Sequence, residues 1–224
     1  MTKKKFISII LARGGSKGLK NKNLKRIAGK PLIEWSIIHS LKSKEISSTW
    51  VSSDSKKILN LAKKKGAGII LRPKKFASDK ATSESAWIHA IKHLKSRYLK
   101  FNYVVGMQPT SPIRLSGEID KGIDIFKKKR FDSLLTVVKT HNFTWVKKGG
   151  RFFPDYNLNK RKRRQNLKPK FLENGSFYIF DKDGIIKHNN RLYGKIGLFK
   201  MNSQSFIQID DLESFNIINY LMKN

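Results

Sequence analysis

The sequence of 224 residues contains no cysteine, which excludes disulfide bonds, cysteine-ligated zinc, iron–sulfur clusters and a thiol nucleophile. It also lacks long hydrophobic runs: stretches such as 6–12 are far shorter than the roughly 18 residues that span a bilayer. The amino-terminal residues lead into only a short apolar segment, which is more typical of a buried strand than of a secretion signal. With 39% hydrophobic and 11% aromatic residues, the chain can still build a core. We therefore expect one folded, cytoplasmic domain over residues 1–224, with no membrane partner.

Acidic residues are scarce: 16 Asp and Glu stand against 48 Lys and Arg, which gives a formal net charge of +32. Such an excess is typical of proteins that bind nucleic acid. However, most of the lysines fall on the faces of predicted helices, where runs of charge are usually solvated. A denser basic run, 160–164, has two interpretations: a mobile basic loop, or an arm that binds an anion. Because the sequence carries no signature of a nucleic-acid-binding fold, we keep a polynucleotide-binding protein only as the alternative from another functional class.

Apolar segments of strand type alternate with segments of helical periodicity along most of the chain. This alternation predicts an α/β fold, doubly wound, with a mainly parallel sheet covered by helices on both faces. The predicted strands are 6–12, 49–53, 68–71, 103–107, 133–139 and 176–180, and the predicted helices are one that opens at 31 and those at 58–65, 83–94, 118–129 and 212–222. Residues 140–172 break the pattern with aromatic and basic side chains, which indicates an inserted arm. Since ligands bind beyond the carboxyl ends of such strands, the candidate loops follow Ala12, Ser53, Leu71 and Met107.

The loop after the first strand, residues 11–23, is rich in glycine and in cations. The order Gly14-Gly-Ser-Lys-Gly18 matches neither the Walker A motif nor the Rossmann motif. The physical logic is nevertheless the same, because glycines let backbone N–H groups approach phosphate oxygens and nearby cations neutralise them. The loop places four cations within ten residues: Arg13, Lys17, Lys20 and Lys22. We expect it to bind a triphosphate.

The same loop resembles the signature of acylneuraminate (sialic-acid type) cytidylyltransferases, which has the form Ala-Arg-x-x-Ser-Lys-Gly-x-x-x-Lys-Asn and is matched here from Ala12 to Asn23. Further stretches follow in the order of that family: 51–54, 72–73, 77–79 with 82–83, 108–112 with 114, 173–175 with 178, and 209–210. The resemblance implies a fold of nucleotide-diphosphosugar-transferase type and a role in surface-glycan biosynthesis. The implied reaction joins CTP to a nine-carbon 2-keto-3-deoxy sugar acid, N-acetylneuraminate or a related nonulosonate, to give the CMP-sugar and pyrophosphate.

The resemblance also implies roles for individual residues at the nucleotide. Lys22 would contact the α-phosphate and stabilise the developing charge, and Arg13 would share the catalytic role while holding the triphosphate with Lys17. Asn23 would lie on the ribose or phosphate side. In nucleotidyl transfer the protein mostly positions groups and neutralises charge. The full implied nucleotide-binding set, in which Arg72 and Ser83 would read cytosine, is Leu11, Ala12, Arg13, Gly14, Lys17, Lys22, Asn23, Arg72 and Ser83.

For the sugar acid, the resemblance implies Gln108, Asn174, Tyr178 and Arg164 as binding residues. Gln108 would contact hydroxyl groups, although at the end of its predicted strand it could instead cap a turn. Asn174 and Tyr178 would line the pocket, although Tyr178 could also be a core residue. Family members resemble one another in forming homodimers whose arm reaches the neighbouring cleft. Arg164, or Arg163 one residue earlier, would there meet the sugar carboxylate, to which a planar guanidinium can donate two parallel hydrogen bonds.

Mg²⁺ is the cofactor that the resemblance implies. The family typically has Asp-x-Asp near its carboxyl terminus, where this chain has Gln208-Ile-Asp210-Asp211. Asp210 matches the second carboxylate, and either Gln208 or Asp211 would complete the set. Mg²⁺ usually takes one or two carboxylates together with substrate phosphate and water, so a single matching carboxylate remains compatible with a metal site.

Two questions stay open at this point. The enzyme alternative is a 3-deoxy-manno-octulosonate cytidylyltransferase, whose family shares the fold; the stretches 108–112 and 174–175 favour the nine-carbon group. Within that group, the sequence does not distinguish one nonulosonate from another. It also does not identify the general base that takes the proton of the attacking hydroxyl.

Overall fold

The structure, a computed structural model, describes residues 4–16 and 18–223. Most of its strands follow the apolar segments of the sequence, since β-branched and aromatic residues fit a buried, pleated surface. The strands are Phe6–Leu11 (β1), Arg26–Ile27 (β2), Lys30–Pro31 (β3), Ile46–Ser53 (β4), Gly68–Leu71 (β5), Tyr103–Met107 (β6), Ser133–Thr140 (β7), Trp145–Lys148 (β8), Arg151–Pro154 (β9), Lys170–Asp181 (β10) and Ile196–Lys200 (β11).

Helices cover the segments in which apolar residues recur with helical period. They are Leu32–Leu41 (α1), Lys56–Lys64 (α2), Ser83–Ser96 (α3), Glu118–Lys129 (α4), Gly184–His188 (α5) and Leu212–Leu221 (α6). Two of them begin with a side-chain cap. The Thr82 side chain accepts from the Ser85 N–H at the start of α3, and Asp211 forms a capping box with Ser214 at the start of α6.

A seven-stranded sheet in the order β11-β7-β10-β6-β1-β4-β5 forms the centre of the fold. The strands β5, β4, β1 and β6 run parallel, β10 is antiparallel to both of its neighbours, and β11 is parallel to β7. Helices connect the parallel strands, as a parallel sheet requires. The prediction of a mainly parallel α/β fold is therefore confirmed, and the carboxyl ends of β1, β4, β5 and β6 meet at one edge.

Both faces of the sheet are buried, as the alternation within β1 illustrates. Phe6 and Ile10 belong to one apolar cluster, together with residues of α1, α2 and α4. Ile7 and Ile9 belong to a second cluster on the opposite face, together with residues of α3 and α5. Successive side chains of a strand point to opposite faces, so a continuous apolar run is what a doubly covered strand needs.

The strand β10 is longer than the predicted 176–180. It begins at Lys170, where it pairs with Thr140 at the end of β7, and its register shifts between Glu173 and Tyr178. Gly175 lies in that irregularity with a φ of +64°, a conformation that favours glycine. Because the irregularity interrupts the strand pattern of the sequence, the pattern did not predict residues 170–175 as part of this strand. Both ends of the predicted arm, 140–172, are consequently strand residues of the central sheet.

Between β7 and β10 the chain forms a separate hairpin of β8 and β9. Its strands are exposed, including large apolar side chains at Trp145, Phe152 and Phe153. The Arg161 guanidinium lies over the Phe143 ring at 4.6 Å from the ring centre, which extends the exposed aromatic surface. The arm therefore contributes little to the core of the described chain.

Within the described residues, each helix is too short or too polar to cross a lipid bilayer.

His39, in the last turn of α1, provides a test of the fold that uses pH. Burial lowers the pKa of His39 to about 4, and the nearby charges of Arg114 and Lys42 act in the same direction. In the unfolded chain a histidine titrates near pH 6.5, so between these values the unfolded state binds a proton that the folded state does not. We expect the free energy of unfolding to fall as the pH drops from about 6.5 to about 4, by at most about 3 kcal/mol.

Urea unfolding at a series of pH values measures this slope. His39→Gln should flatten the slope between pH 6.5 and 4, because the variant has no ring to protonate there. His141→Gln, in the loop that follows β7, is the matched control and should keep the slope of the unmodified chain. Equal slopes for His39→Gln and the unmodified protein would contradict the expectation.

Candidate active site

A cleft of about 560 Å³ opens at the carboxyl edge of the parallel strands. Its walls come from the loops that follow β1, β5 and β6, from the first turn of α3, and from the segment before α6. The position agrees with the rule that ligands bind beyond the carboxyl ends of such strands. Among the residues to which the sequence gave a candidate role, those that line the cleft are Leu11, Arg13, Lys22, Asn23, Arg72, Ser83, Gln108, Gln208 and Asp210.

The glycine loop has a defined shape because side chains hold its backbone. Asn23 is buried, and its Nδ2 donates to the Arg13 carbonyl at 2.9 Å. Asp54, at the end of β4, accepts the Gly14 N–H on its Oδ1 at 2.8 Å. The Gly14 N–H is thus already bonded within the chain, and Gly14 does not line the cleft. We expected the loop after β4 to line the site. It instead supports the glycine loop through Asp54 and does not line the cleft.

Ala12 is likewise beside the cleft and does not line it. Its side chain is buried in the core, and its N–H donates to the Ser52 carbonyl at 3.1 Å, which extends the pairing of β1 with β4. The position of Ala12 sets where the glycine loop leaves the sheet.

Lys22 is held at the cleft by the segment that precedes α6. Its Nζ donates to the Ile209 carbonyl at 2.5 Å and to Asp210 Oδ1 at 3.3 Å. The side chain of Lys22 is only 13% exposed, whereas that of Asp210 is 76% exposed. Gly18 packs on the same segment so closely that a Cβ there would lie 2.1 Å from the Asp210 carbonyl oxygen. The segment 209–210, which is distant from Lys22 in the sequence, therefore fixes the position of the Lys22 ammonium group.

A second cation of the glycine loop, Arg13, crosses the cleft. Its Nη1 donates to Asp79 Oδ1 at 2.7 Å. Asp79 belongs to the segment between β5 and α3, which forms the opposite wall. Both cations implicated by the sequence are consequently paired with carboxylates that also line the cleft.

Arg72, directly after β5, is a buried cation of the cleft wall. Its Nε and Nη2 atoms have no hydrogen-bond partner among the described residues. Burial lowers the pKa of Arg72, the Asp54 carboxylate opposes this, and the charge of Arg13 adds to it. Buried polar groups in folded proteins are nearly always hydrogen-bonded, so a guanidinium left with free donors at a cleft is suited to a ligand that carries acceptors.

Gln108 follows β6 and lies between Ser83 and Gly175. Its Nε2 is 3.4 Å from the Ser83 Oγ, and a Cβ on Gly175 would lie 2.9 Å from its Oε1. The buried guanidinium of Arg114 donates to the carbonyls of Gln108 at 3.1 Å and of Ser176 at 2.7 Å. Burial lowers the pKa of Arg114 to about 9, with Glu118 opposing the shift. Arg114 thus joins the loop after β6 to β10 through the backbone carbonyls of Gln108 and Ser176.

Asn174 and Tyr178 are not brought to the cleft with the other predicted residues. Asn174 is fully buried, and its Nδ2 donates to Ser205 Oγ at 2.9 Å. Tyr178 is 1% exposed, and its hydroxyl bonds to Glu173 beneath the guanidinium of Arg191. The core position that the sequence left open for Tyr178 is the one observed. Neither side chain lines the cleft; both are buried within the fold.

Among the possible metal ligands, Gln208 and Asp210 line the cleft. The carboxylate of Asp211 instead accepts the Ser214 N–H at 2.8 Å and caps α6, and these hydrogen bonds from Ser214 lower the pKa of Asp211. In the part of the chain that the structure describes, no three His, Cys, Asp or Glu side chains cluster as metal ligands. Of the two candidates for completing the set, Gln208 is the one at the cleft.

Two predicted residues cannot be placed. Lys17 lies outside the described residues. Arg164 begins a short 3₁₀ turn, Arg164–Asn166, but its side chain lies outside the described part.

The family model for cytidylyltransferases matches residues 7–218. This chain belongs to the cytidylyltransferase family. The matched range contains the described part of the glycine loop, the sheet and the Gln208–Asp210 segment, so the cleft lies within the region that defines the family.

Relatives of this cytidylyltransferase-family chain fall into two size groups. N-acylneuraminate cytidylyltransferase A of Danio rerio is 35% identical over 208 residues, which is 91% of this chain and 47% of the relative. The chain spans about half the length of this relative and of several others that it matches. The post-translational flagellin modification protein B of Campylobacter coli is 29% identical over 225 residues, covering 97% of this chain and 95% of that protein.

Solved structures share the fold of this family member at low sequence identity. A CMP:2-keto-3-deoxy-manno-octonic acid synthetase complexed with CTP superposes with a TM-score of 0.71 and 14% identity, covering 97% of this chain and 98% of the other. The agreement along the whole length confirms the expected nucleotide-sugar-transferase type of fold.

Two residues of the site were quoted in the sequence without a role: Asp54 and Asp79. Asp54 follows the predicted strand 49–53, and Asp79 precedes the predicted helix 83–94. An acidic side chain beside such an element was the only feature of the sequence that pointed to either residue. Their partners, the Gly14 N–H and the Arg13 guanidinium, are 40 and 66 positions away. Such pairs depend on how the loops meet in space.

Proposed function

We propose that the protein is a CMP-nonulosonate synthetase. The anomeric hydroxyl oxygen of a nine-carbon 2-keto-3-deoxy sugar acid attacks the α-phosphorus of CTP. The bond from that phosphorus to the bridging oxygen of the β-phosphate breaks, and pyrophosphate leaves. The proton of the hydroxyl passes to a base that the arrangement of residues does not identify. The chemistry therefore depends on positioning and on charge neutralisation.

One observation carries this proposal: a single cleft brings together two cations of the glycine loop, Arg13 and Lys22, and the buried guanidinium of Arg72. Arg13 and Lys22 suit the phosphates, and Lys22, fixed by two contacts, suits the α-phosphate. The free donors of Arg72 suit the carbonyl acceptor of cytosine, and Ser83 offers a hydroxyl beside it. Membership of the cytidylyltransferase family supports the choice of CTP.

The acceptor is proposed to lie against Gln108 and Gly175. A side chain on Gly175 would fill the space next to the amides of Gln108 and Gln208, and glycine leaves that space open for a ligand. Amide groups can both donate to and accept from sugar hydroxyls. The similarity to the N-acylneuraminate cytidylyltransferase A of Danio rerio supports a nine-carbon acid. The similarity to the Campylobacter coli flagellin modification protein supports a product that is used to modify a cell-surface component.

We further propose Mg²⁺ as the cofactor, with Asp210 and Gln208 as its protein ligands. The exposed carboxylate of Asp210 at the cleft fits an ion that takes few protein oxygens and keeps phosphate and water ligands. When bound, Mg²⁺ would neutralise phosphate charge. The phosphates would then lie between this ion and the side chains of Arg13 and Lys22 in the glycine loop.

The arm is proposed to pair with a second copy of the chain and to reach into its cleft. The arm presents a set of exposed apolar residues that the described chain leaves uncovered, four in the hairpin and one after it: Trp145, Val146, Phe152, Phe153 and Leu158. Large exposed apolar surfaces are typical of interfaces. The basic run that follows, 160–164, would then supply cations to the neighbouring site.

A matrix of substrates tests the proposed function. Pyrophosphate release is measured with each of the four nucleoside triphosphates against a panel of nonulosonic acids and 3-deoxy-manno-octulosonate, with Mg²⁺ and with a chelator. Release that needs CTP, a nine-carbon acid and Mg²⁺ together would support the proposal. Release with the eight-carbon acid alone would favour the alternative that the CTP-bound synthetase structure represents. Absence of release with every acid would contradict the enzyme assignment, and salt-sensitive binding of random oligonucleotides without turnover would favour a polynucleotide-binding protein.

The arm can be tested by mixing two variants that are impaired in different ways. We expect Arg164→Ala to raise the KM for the sugar acid with little change in the KM for CTP, because a guanidinium that meets the sugar carboxylate is lost. If the arm acts in the neighbouring subunit, hybrid dimers of Arg164→Ala and Lys22→Ala contain one intact site. A refolded equal mixture, assayed at a sugar-acid concentration far below the raised KM, should then recover about a quarter of the activity of the unmodified protein.

Arg163→Ala is the matched control, one residue away in the same basic run, and should leave the KM for the sugar acid unchanged. A larger effect for Arg163→Ala than for Arg164→Ala would transfer the role to Arg163. No recovery of activity in the mixture would contradict the shared site.

A further inference from the structure

Asp79 holds Arg13 across the cleft although the two residues are 66 positions apart. The distance from Arg13 Nη1 to Asp79 Oδ1 is 2.7 Å, and the two side chains remain 36% and 48% exposed. Ion pairs with this exposure contribute little to folding, because both charges are also well solvated when apart. The effect of the pair is therefore expected on ligand binding in the cleft, which both residues line.

The position of Asp79 in the chain links it to the rest of the nucleotide site. It lies on the segment between Arg72 and Ser83, the two residues proposed to read the base. This segment contains a 3₁₀ turn, Lys74–Phe76, and a tight turn in which the Ala81 N–H donates to the Ser78 carbonyl at 3.1 Å. The Arg13–Asp79 pair thus joins the proposed phosphate end of the cleft to the wall at its base end.

Arg13 can serve a carboxylate or a phosphate with the same donors. An arginine presents its N–H groups in a fixed fork that suits either oxyanion. Asp79 Oδ1 accepts a hydrogen bond from Arg13 Nη1, and a phosphate oxygen bound at Nη1 would compete for the same donor. A triphosphate carries more charge than one carboxylate and can displace it, whereas a cleft without phosphate leaves Arg13 to Asp79.

We propose that Asp79 is the exchange partner of phosphate on Arg13. It holds Arg13 in the empty cleft, gives it up when a triphosphate binds, and takes it back as pyrophosphate leaves, which speeds release of that product. Asp79 acts through Arg13 and is therefore a positioning residue. The inference rests on the proposed function, since it requires a nucleoside triphosphate as substrate and pyrophosphate as product.

The Lys22–Asp210 contact does not offer the same exchange. Lys22 also donates to the Ile209 carbonyl at 2.5 Å, so one of its contacts is with backbone that no carboxylate substitution removes. Asp210 is in addition the proposed Mg²⁺ ligand. Loss of its charge should weaken nucleotide binding in the presence of Mg²⁺, the opposite of the effect expected at Asp79.

The test compares Asp79→Asn, Asp79→Glu and Asp183→Asn with the unmodified protein. Calorimetry measures the Kd of CTP and of pyrophosphate, each without a sugar acid, and assays measure kcat and inhibition by pyrophosphate. We expect Asp79→Asn to bind both ligands about three- to tenfold more tightly, to be inhibited by correspondingly less pyrophosphate, and to have a lower kcat. Asp79→Glu should behave like the unmodified protein. Asp183→Asn removes an exposed acid that pairs with Lys95 at 2.9 Å and should change neither Kd.

A double-substitution cycle separates this role from a merely structural one. In an Arg13→Gln background, Asp79→Asn should tighten pyrophosphate binding by a clearly smaller factor, because the competition for Arg13 is gone and only the direct repulsion between the Asp79 carboxylate and the ligand is relieved. Unchanged or weaker binding by Asp79→Asn, in an otherwise active protein that binds both ligands, would overturn the inference alone. An unmodified protein that binds neither CTP nor pyrophosphate would overturn the proposed function, and the inference with it.

Discussion

Lys22→Ala is expected to lower kcat at least tenfold. The ammonium group is held at the cleft by the Ile209 carbonyl and by Asp210, and its side chain is only 13% exposed. A charge that is positioned in advance needs no reorganisation when negative charge develops on the α-phosphate, so its loss costs about 1.4 kcal/mol or more in the transition state. Steady-state measurements at saturating CTP and sugar acid give the change in kcat, and thermal unfolding shows whether the fold is retained.

Lys25→Ala is the matched control for this experiment. Lys25 is an exposed lysine three positions further along the chain, just beyond the glycine loop, and it does not line the cleft. Its removal changes the net charge by the same amount, so any general effect of charge on a polyanionic substrate appears in both variants. Equal values of kcat in the unmodified protein and Lys22→Ala would remove the role assigned to Lys22.

Gly18→Ala is expected to disrupt the site by steric conflict. The added Cβ would lie 2.1 Å from the Asp210 carbonyl oxygen, and a backbone atom cannot move aside as the end of a long side chain can. Overpacking of this kind costs about 1 to 3 kcal/mol, or roughly 2 to 12 °C in the unfolding temperature of a domain of this size. Since the same segment holds Lys22, most of the activity should be lost as well. Differential scanning calorimetry and the pyrophosphate assay measure the two effects.

Gly15→Ala provides the control within the same glycine loop. Apart from Gly15 itself and its two neighbours in the chain, no described residue has an atom within 4 Å of the position that a Cβ on Gly15 would take. This variant should therefore unfold near the temperature of the unmodified chain. If Gly15→Ala and Gly18→Ala lowered the unfolding temperature equally, the close approach of Gly18 to the Asp210 carbonyl would not explain the effect.

Local patterns predicted a large part of the fold correctly. β5, β6 and α4 have the bounds that periodicity indicated, because Gly66 and Pro73 enclose the first of these segments and apolar residues recur regularly in the others. The strand β11 and the short helix α5 were not predicted. β11 has the alternating burial of an edge strand, but it is only five residues long, and short apolar runs are ambiguous without their neighbours.

The site was predicted less completely than the fold. The residues that follow parallel strands directly, such as Arg13, Arg72 and Gln108, do line one cleft, because parallel strands end at the same edge. Asn174 and Tyr178 were placed at the pocket wall by resemblance alone, and the structure has them buried behind it. Their roles in the proposed reaction stay predictions, as do those of Lys17 and Arg164.

The amino-acid sequence by itself determined the alternation of strands and helices, the glycine loop and the edge of the sheet at which a ligand binds. These features depend on neighbours in the chain: period, backbone freedom and the common direction of parallel strands. Only the tertiary structure decided which acid faces which cation. Arg13 meets Asp79 and Lys22 meets Asp210 because loops from distant segments converge at the cleft. Coulombic attraction depends on the distance between charges in space, and that distance bears no relation to their separation in the sequence.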